Sequence, residues 1–481
     1  MLSGMTVRRR RLALALLLCG LPGPLAAAGA DGAGLGAAAR ALAPGERLSV
    51  RALLAGAAEE EVLLELVRAD TAAPGARLVL HGAAGTRERP LPPTVHLRGG
   101  IVGRPGSRVA LSVHQDGELR ALLVEPGGMA LARAGAGGEL RFRPGAAAPD
   151  APPFACAADG LEGPDGEVEE LLPLTPAFEA ATAVAHTARV ALESDYEYFQ
   201  KFDDATAAAE YALDLLAFSS TIYAGELGTD LAVVSVSLWT TAADPWAQTS
   251  TSCGFYEFGG YWNQHHAGDQ RTLAHFLSGK ASGGGIAWVG VLCSGAFETS
   301  GVSCAGMASS GNYGGAYGLT GNLSGTFDPG SPTSMWDIIA VSHEIGHNFG
   351  SPHTHCYAGY GGVSEHVDQC ATSTSTGCYA SGAKTLPGPG SVVGGSPGQH
   401  NGTLMSYCHL LSGGYANIEL SFGLDHPYGV APERVPQRMA AHVAARAASY
   451  PSCLAPLAAT AIFADDFESQ TLAAWDLTVG L

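Results

Sequence analysis

Residues 343–353 read HEIGHNFGSPH, and this run decides the fold. It fills every fixed position of the pattern HExxHxxGxxH: His343, Glu344, His347, Gly350 and His353. On a helix, residues four apart share a face, so His343 and His347 can present their imidazoles to one ion. Glu344 projects beside them, within reach of a water at that ion. Gly350 lets the chain leave the helix through a backbone conformation that other residues resist. The chain then doubles back, and His353 completes a three-histidine zinc site. Three protein ligands leave a fourth position open, which marks a catalytic rather than a structural zinc. A bare HExxH often arises from two surface histidines on a helix; the added Gly350 and His353 count against that reading. The preceding Ser334–Val341 (SMWDIIAV) is apolar at helical spacing, which predicts a helix packed by one face into a core.

The extended motif resembles that of the metzincin metallopeptidases. The resemblance implies a methionine-containing turn beneath the zinc, and Gly402–Cys408 (GTLMSYC) supplies Met405 for it. Within the metzincins, Thr272–Ser294 (TLAHFLSGKASGGGIAWVGVLCS) is similar to the reprolysin (adamalysin) pattern of a helix end, a Gly-rich loop and then a strand. Val190–Phe199 (VALESDYEYF) and Leu231–Trp239 (LAVVSVSLW) resemble that branch's first two strands. The resemblance runs from about Arg189 to Cys453. It implies an α+β sandwich: a five-stranded mixed sheet with the active-site helix and Met-turn. Two departures stand out. Thr354 occupies the place where reprolysins carry Asp. Tyr407, two residues after Met405, resembles astacins and serralysins, in which such a tyrosine ligates zinc or stabilises the transition state; a core tyrosine beside the turn is the equal alternative. The long interval from His353 to Met405 is rich in Gly, Ser and Thr and reads as an elaborated surface loop. The family's calcium ligands do not map onto this chain, so Ca2+ stays open beside one catalytic Zn2+.

The chain has 481 residues and ten cysteines. Arg8–Arg11 precede an apolar run, Leu12–Leu18, too short for a permanent membrane span, and Ala26-Ala27-Ala28 offers an A-x-A cleavage site. Residues 1–28 therefore read as a secretory signal peptide, and the mature protein is expected to be secreted, monomeric and without a permanent membrane anchor. Heavy use of Ala, Gly and Arg suggests a GC-rich bacterial source. Cys19 leaves with the signal. Cys253, Cys293, Cys304, Cys356, Cys370, Cys378, Cys408 and Cys453 form an even set, which in an exported chain reads as disulfides. The expected pairs include Cys356–Cys408, clamping both walls of the active site, and Cys370–Cys378. No CxxC pair supports a zinc–cysteine cluster. Cys156 stands alone in Pro152–Gly160 (PPFACAADG). The metzincin resemblance implies a propeptide thiolate that blocks zinc, and Cys156 lies in the right place for one; an unpaired buried thiol is the alternative.

Residues 29–186 read as a small β-rich propeptide domain and processing linker, with strand-like runs at Val62–Val67, Arg77–Leu80 and Arg120–Val124. Leu161–Ala185 is the connector where processing is expected. Residues 187–455 form the catalytic domain, with helices expected at Ala205–Ala224 and Pro432–Tyr450. Residues 456–481 are a tail whose Ile462–Trp475 resembles the opening strand of jelly-roll binding domains. From Arg189 onward the chain carries 8 Lys plus Arg against 25 Asp plus Glu, nearly all of the net charge of −19. So acidic a domain argues against binding to nucleic acid or anionic lipid. The sequence thus points to a secreted zinc-dependent endopeptidase made as a zymogen, acting on proteins or peptides. In this reading Glu344 is the general base and Gly285–Leu292 an edge strand that binds extended substrate. A non-catalytic adhesin or toxin-like module that keeps the zinc fold is the alternative, and a zinc amidase acting on cell-wall peptides is a third reading.

Overall fold

Alternation of apolar and polar residues in the first third of the chain builds a closed sheet, and the second sheet packs on its outside. The computed structural model describes residues 26–27, 32–56, 58–144, 156–164 and 184–457. Residues 1–25 of the expected signal peptide, most of the connector and the tail segment Ile462–Trp475 lie outside the described residues.

In the upstream half, strands Arg47–Leu54, Arg141–Pro144, Gly128–Ala134, Leu119–Glu125, Arg108–Val113, Val95–Ile101 and Glu60–Arg68 neighbour one another in that order, and the short Ala26–Ala27 pairs with the first. Arg47–Leu54 also pairs with Glu60–Arg68, so the sheet closes on itself. Side chains alternate across a strand. Val109, Leu111 and Val113 therefore point into the closed sheet with Leu48, Leu64 and Leu97, and helix Gly32–Ala41 packs there through Leu35 and Ala39. Ala110, Leu122, Val124 and Leu131 point outward, into the core that the second half builds. Both faces of Arg108–Val113 are buried. The two halves thus share a core, at about 1.5–3 kcal/mol for each large apolar side chain buried.

The second sheet has seven strands where five were expected. Its order is Gly285–Ala287, Tyr317–Thr320, Leu273–Leu277, His186–Ser194, Thr229–Trp239, Ala72–Gly82 and Gly85–Pro90, with antiparallel pairs at its two ends and parallel pairs between. The extra two strands are a hairpin from the upstream half. Ala72–Gly82 lies along Thr229–Trp239, with Ser235 opposite Arg77 and Trp239 opposite His81. An apolar edge such as VVSVSLW invites pairing with another chain, and the hairpin covers it. Two local readings are also corrected. Leu273–Leu277, expected as a helix end, is an interior strand; all five residues are buried, so the run carries no alternation. Val190–Phe199 is strand only as far as Ser194, because Asp195 then caps a one-turn helix by accepting from the Tyr198 amide.

Helix Ala205–Leu227, capped by Asp204 and ended by Gly228 at φ +58°, lies between the halves. It supports the site helix, Pro332–Asn348, through Ser219 Oγ to Ser342 Oγ (2.8 Å) and the Tyr223 hydroxyl to Ser342 O (2.8 Å). The closing helix spans Arg434–Ser449. The disulfides are Cys253–Cys304, Cys293–Cys453, Cys356–Cys378 and Cys370–Cys408. The two expected pairs exchange partners. The Tyr379 amide donates to His355 O, folding Cys378 back onto Cys356, and this leaves Cys370 to hold Cys408 after Met405. The interval from His353 to Met405 is therefore more than surface loop, since Val367, Asp368, Cys370 and Leu386 within it are buried. No helix among the described residues is long and apolar enough to cross a membrane.

Four charged pairs join the closed sheet to the second half in one sense. Arg98 meets Asp230, Arg108 meets Glu226 (2.6 Å), Arg120 meets Asp214 (3.1 Å) and His114 meets Asp214 (2.9 Å); in each pair the base is upstream. Burial pushes the His114 pKa down, but the Asp214 carboxylate outweighs it. The net shift is upward, with Glu210 adding and Arg120 opposing. Asp214 is buried yet held well below the usual carboxylate range by His114, His96 and Arg120. His114's share of stability is present below its unfolded pKa of about 6.5 and is lost as pH rises through the raised folded value. Asp214's share is present above about pH 4 and is lost as pH falls. The urea midpoint of the full chain should therefore decline from pH 6 toward pH 9, and less steeply in His114→Asn. Equal slopes in the two proteins would contradict this account.

Candidate active site

The last turns of the site helix bring His343 and His347 together, with ring centroids 4.8 Å apart. The helix ends at Asn348, and Gly350 turns the chain at φ +98°. His353 then comes back to 4.6 Å from His347 and 5.2 Å from His343, centroid to centroid. Met405 is fully buried beneath them. A Cβ on Gly346 would lie 2.5 Å from Met405 Sδ, so the position between the two helical histidines is glycine because the methionine fills its space. The turn also grips the site by its backbone. Leu404 O accepts from His343 Nδ1 (2.6 Å), and Met405 O accepts from the Thr354 amide (3.0 Å).

These contacts fix the protons. Carbonyl oxygens only accept, so His343 Nδ1 and His347 Nδ1, which meets Ser351 O at 2.7 Å, both carry hydrogen. Burial and the neighbouring imidazoles push both pKa values well down, and burial takes His353 to about 3. His353 Nδ1 donates to Asp159. Three neutral rings thus turn their Nε2 lone pairs inward: those of His343 and His347 lie 3.1 Å apart with no proton between them, and His353 Nε2 is buried with no hydrogen-bond partner. Lone pairs facing one another are stable only around a cation, and tying each Nδ1 to a carbonyl or carboxylate is how proteins orient metal-binding histidines.

Cys156 supplies a fourth donor. Its Sγ is 3.3 Å from His347 Nε2 and 3.3 Å from Glu344 Oε2, and the ligand atoms of Cys156, His343, His347 and His353 all lie within 4.8 Å of one another. Burial and the Glu344 carboxyl push the thiol pKa well up, so it ionises here only beside a cation. A Cys/His3 donor set of this kind fits zinc. Glu344 is fully buried, which raises its pKa, and its Oε1 has no partner. A Cβ on Gly285 would sit 2.3 Å from that oxygen, so the edge strand must present glycine there. The Tyr407 hydroxyl donates to the carbonyl oxygen of Cys156, which brings it into the site rather than leaving it in the core behind.

Residues 157–163 lie along the edge strand. The Ala157 amide donates to Gly285 O (3.2 Å), the Val289 amide to Leu161 O (2.8 Å) and the Gly163 amide to Val289 O (2.9 Å), in parallel register. The expected site residues thus come together, Cys156 included. Two further residues enter that the sequence reading passed over. Asp159 follows Cys156 by three and His355 follows His353 by two, and neither lies at a motif position; the Asp159 carboxylate reaches both His353 and His355. Gly346→Ala should destabilise the full chain by about 1–3 kcal/mol through overpacking against Met405. An unchanged urea midpoint would show that the methionine does not fill that space.

Residues 184–407 match a reprolysin model of metallo-peptidase family M12. That span holds the site helix, His353, Met405 and Tyr407, and excludes Cys156 and Asp159. None of the curated proteins matches. Among solved structures, metalloproteinase-II from Bacteroides fragilis aligns at TM-score 0.34 and 10% identity, over 70% of this chain and 90% of that one. A chaperone–substrate complex aligns at TM-score 0.24 and 14% identity, over 39% of this chain and 30% of that one. Both superpose too loosely to bear on the fold.

Proposed function

The chain belongs, over residues 184–407, to the reprolysin-type metallopeptidases of family M12 and is a metalloprotease; from that premise we propose a secreted zinc endopeptidase made as a zymogen. The observation that carries the reading is the convergence of three neutral imidazoles on one point with the Glu344 carboxyl beside it.

In this reading His343, His347 and His353 hold zinc, whose Lewis acidity makes water acidic near neutral pH and polarises a carbonyl. Glu344 takes the proton of the attacking water and hands it to the leaving amine. The Tyr407 hydroxyl, here donating to the Cys156 carbonyl, is placed to donate to the oxygen of a substrate carbonyl as charge develops on it. Gly285 and Val289 offer the backbone groups that bind an extended peptide, and residues 157–163 occupy them in this chain. Residues 1–28 direct secretion. Residues 29–186 act as the propeptide, and Cys156 is its blocking group, since a thiolate at the metal excludes water from the fourth position.

With zinc-loaded, processed protein, Glu344→Ala should keep its metal and lose casein cleavage by about 10²–10⁴-fold, and a chelator should abolish cleavage by the wild type. Zinc binding with no cleavage of denatured proteins would favour the non-catalytic module. Cys156→Ser in the unprocessed full chain should raise chelator-sensitive casein cleavage by at least about tenfold, the equivalent of losing roughly 1.4 kcal/mol of blocking contact. No rise would show that the thiol does not block the site.

A further inference from the structure

Asp159 marks a place in the cleft that the catalytic groups do not use. Its Oδ1 lies 2.5 Å from His353 Nδ1 and its Oδ2 lies 3.6 Å from His355 Nε2. Both imidazoles are fully buried and stack 5.5 Å apart at an interplanar angle of 10°, so they face the carboxylate side by side. Neither ring nitrogen of His355 has a hydrogen-bond partner among the described residues, since 3.6 Å to Asp159 Oδ2 is too long for one. Tyr407 closes the niche on one side, its ring 5.5 Å from that of His355. Asp159 stands three residues from Cys156 on the segment that covers the edge strand. Any event that lifts Cys156 and residues 157–163 from the cleft therefore lifts Asp159 with them.

What remains is one donor, His353 Nδ1, beside a buried imidazole with no hydrogen-bond partner. His353 Nδ1 must carry its hydrogen, because its Nε2 is turned inward with those of His343 and His347. A side chain that fills this niche has to accept from His353 Nδ1. Lysine and arginine accept nothing, and an apolar side chain leaves that N–H unsatisfied at about 1–3 kcal/mol. An amide has one acceptor oxygen. A carboxylate has two, so one can take the His353 hydrogen while the other faces His355, as those of Asp159 do, and its charge strengthens the bond. We propose that the niche between His353 and His355 is a carboxylate subsite, filled by Asp159 in this chain and by a carboxylate of the peptide substrate in the working enzyme. The proposal rests on the peptidase reading and names its substrate class: peptides with an acidic side chain near the scissile bond, or with a free C-terminal carboxylate there. The domain's negative charge does not oppose this locally, because exposed charges beyond about 8–10 Å are screened at physiological salt.

The test uses the zinc-loaded full chain carrying Cys156→Ser and Asp159→Ala, which removes the segment's two side-chain anchors in the cleft and leaves its backbone contacts. Whatever competition the segment retains affects all substrates alike and cancels in ratios. In one cleaved peptide, each position flanking the scissile bond is made Asp, Asn or Lys in turn, with a free or an amidated C-terminus. The expected result is an Asp-over-Asn advantage of about tenfold or more in kcat/KM at one position, and a larger one over Lys. Adding His355→Ala should bring the ratio toward 1, and His355→Gln, which keeps an N–H donor, should restore part of it. A preference that survives amidation identifies a side-chain carboxylate; one lost on amidation identifies the chain terminus. Casein cleavage with an Asp-to-Asn ratio near 1 at every position would overturn the proposal. A second measurement needs no turnover: calorimetric binding of the peptide of residues 154–162 carrying Cys156→Ser, with and without Asp159→Asn. The Asp form should bind about tenfold more tightly, and equal affinities would overturn the proposal. A tenfold difference in a protein that cleaves neither casein nor peptide would support the niche and overturn the peptidase reading instead.

Discussion

Three imidazole lone pairs aimed at one point repel one another, and much of this structure serves to hold them there. Leu404 O and Ser351 O take the outward hydrogens of His343 and His347, and Asp159 takes that of His353. The rings cannot turn without leaving a buried donor unsatisfied. The Met-turn supplies Leu404, the loop after Gly350 supplies Ser351, and the upstream segment supplies Asp159. Elements far apart in sequence are thereby tied to one centre, and a bound cation repays the cost of bringing them together. The same turn whose backbone contacts orient the imidazoles also places Met405 against Gly346.

The upstream half acts on this centre through a long lever. Its closed sheet buries one face internally and the other against the second half, its hairpin caps the edge of Thr229–Trp239, and its bases pair with the acids of the second half. Cys156 and Asp159 are held at the cleft by the contacts of residues 156–163 with Gly285, Val289, His353 and Tyr407. In the zymogen reading, release of the thiol alone gives partial activity and leaves the docking surface intact, so full activation must also weaken these longer-range contacts. The strongly acidic second half fits this picture, since part of its negative charge faces upstream arginines.

The grouping of His343, Glu344, His347, His353 and Met405 was legible in the sequence because it is written locally. HExxH places its ligands by the helical repeat, Gly350 and His353 follow within a few residues, and Met405 lies in a short turn of its own. The long strands Glu60–Arg68, Leu119–Glu125 and Thr229–Trp239 were legible for a similar reason, being rich in β-branched and aliphatic residues with turn signals on either side. What escaped depends on distance along the chain. The pairing of Arg77 with Ser235 leaves no trace in either segment alone, so the sheet was expected to stop at five strands. Leu273–Leu277 has no polar face because both of its faces are covered, so no alternation in it opposes the helix end that the reprolysin resemblance implies. The disulfide partners of Cys356 and Cys370 depend on how the interval between His353 and Met405 folds back, and spacing does not encode that. Asp159 and His355 carry no motif, and only the docked segment shows that they meet.

The central claim is that one zinc ion draws His343, His347, His353 and the thiolate of Cys156 to a common point. X-ray absorption spectroscopy at the zinc edge of the purified, unprocessed full chain tests it directly. The account predicts one zinc per chain with three nitrogen neighbours at about 2.0–2.1 Å and one sulfur neighbour at about 2.3 Å, the sulfur vanishing in Cys156→Ser. A shell of nitrogen and oxygen alone in the unprocessed wild type, or sulfur that persists in the variant, would contradict it.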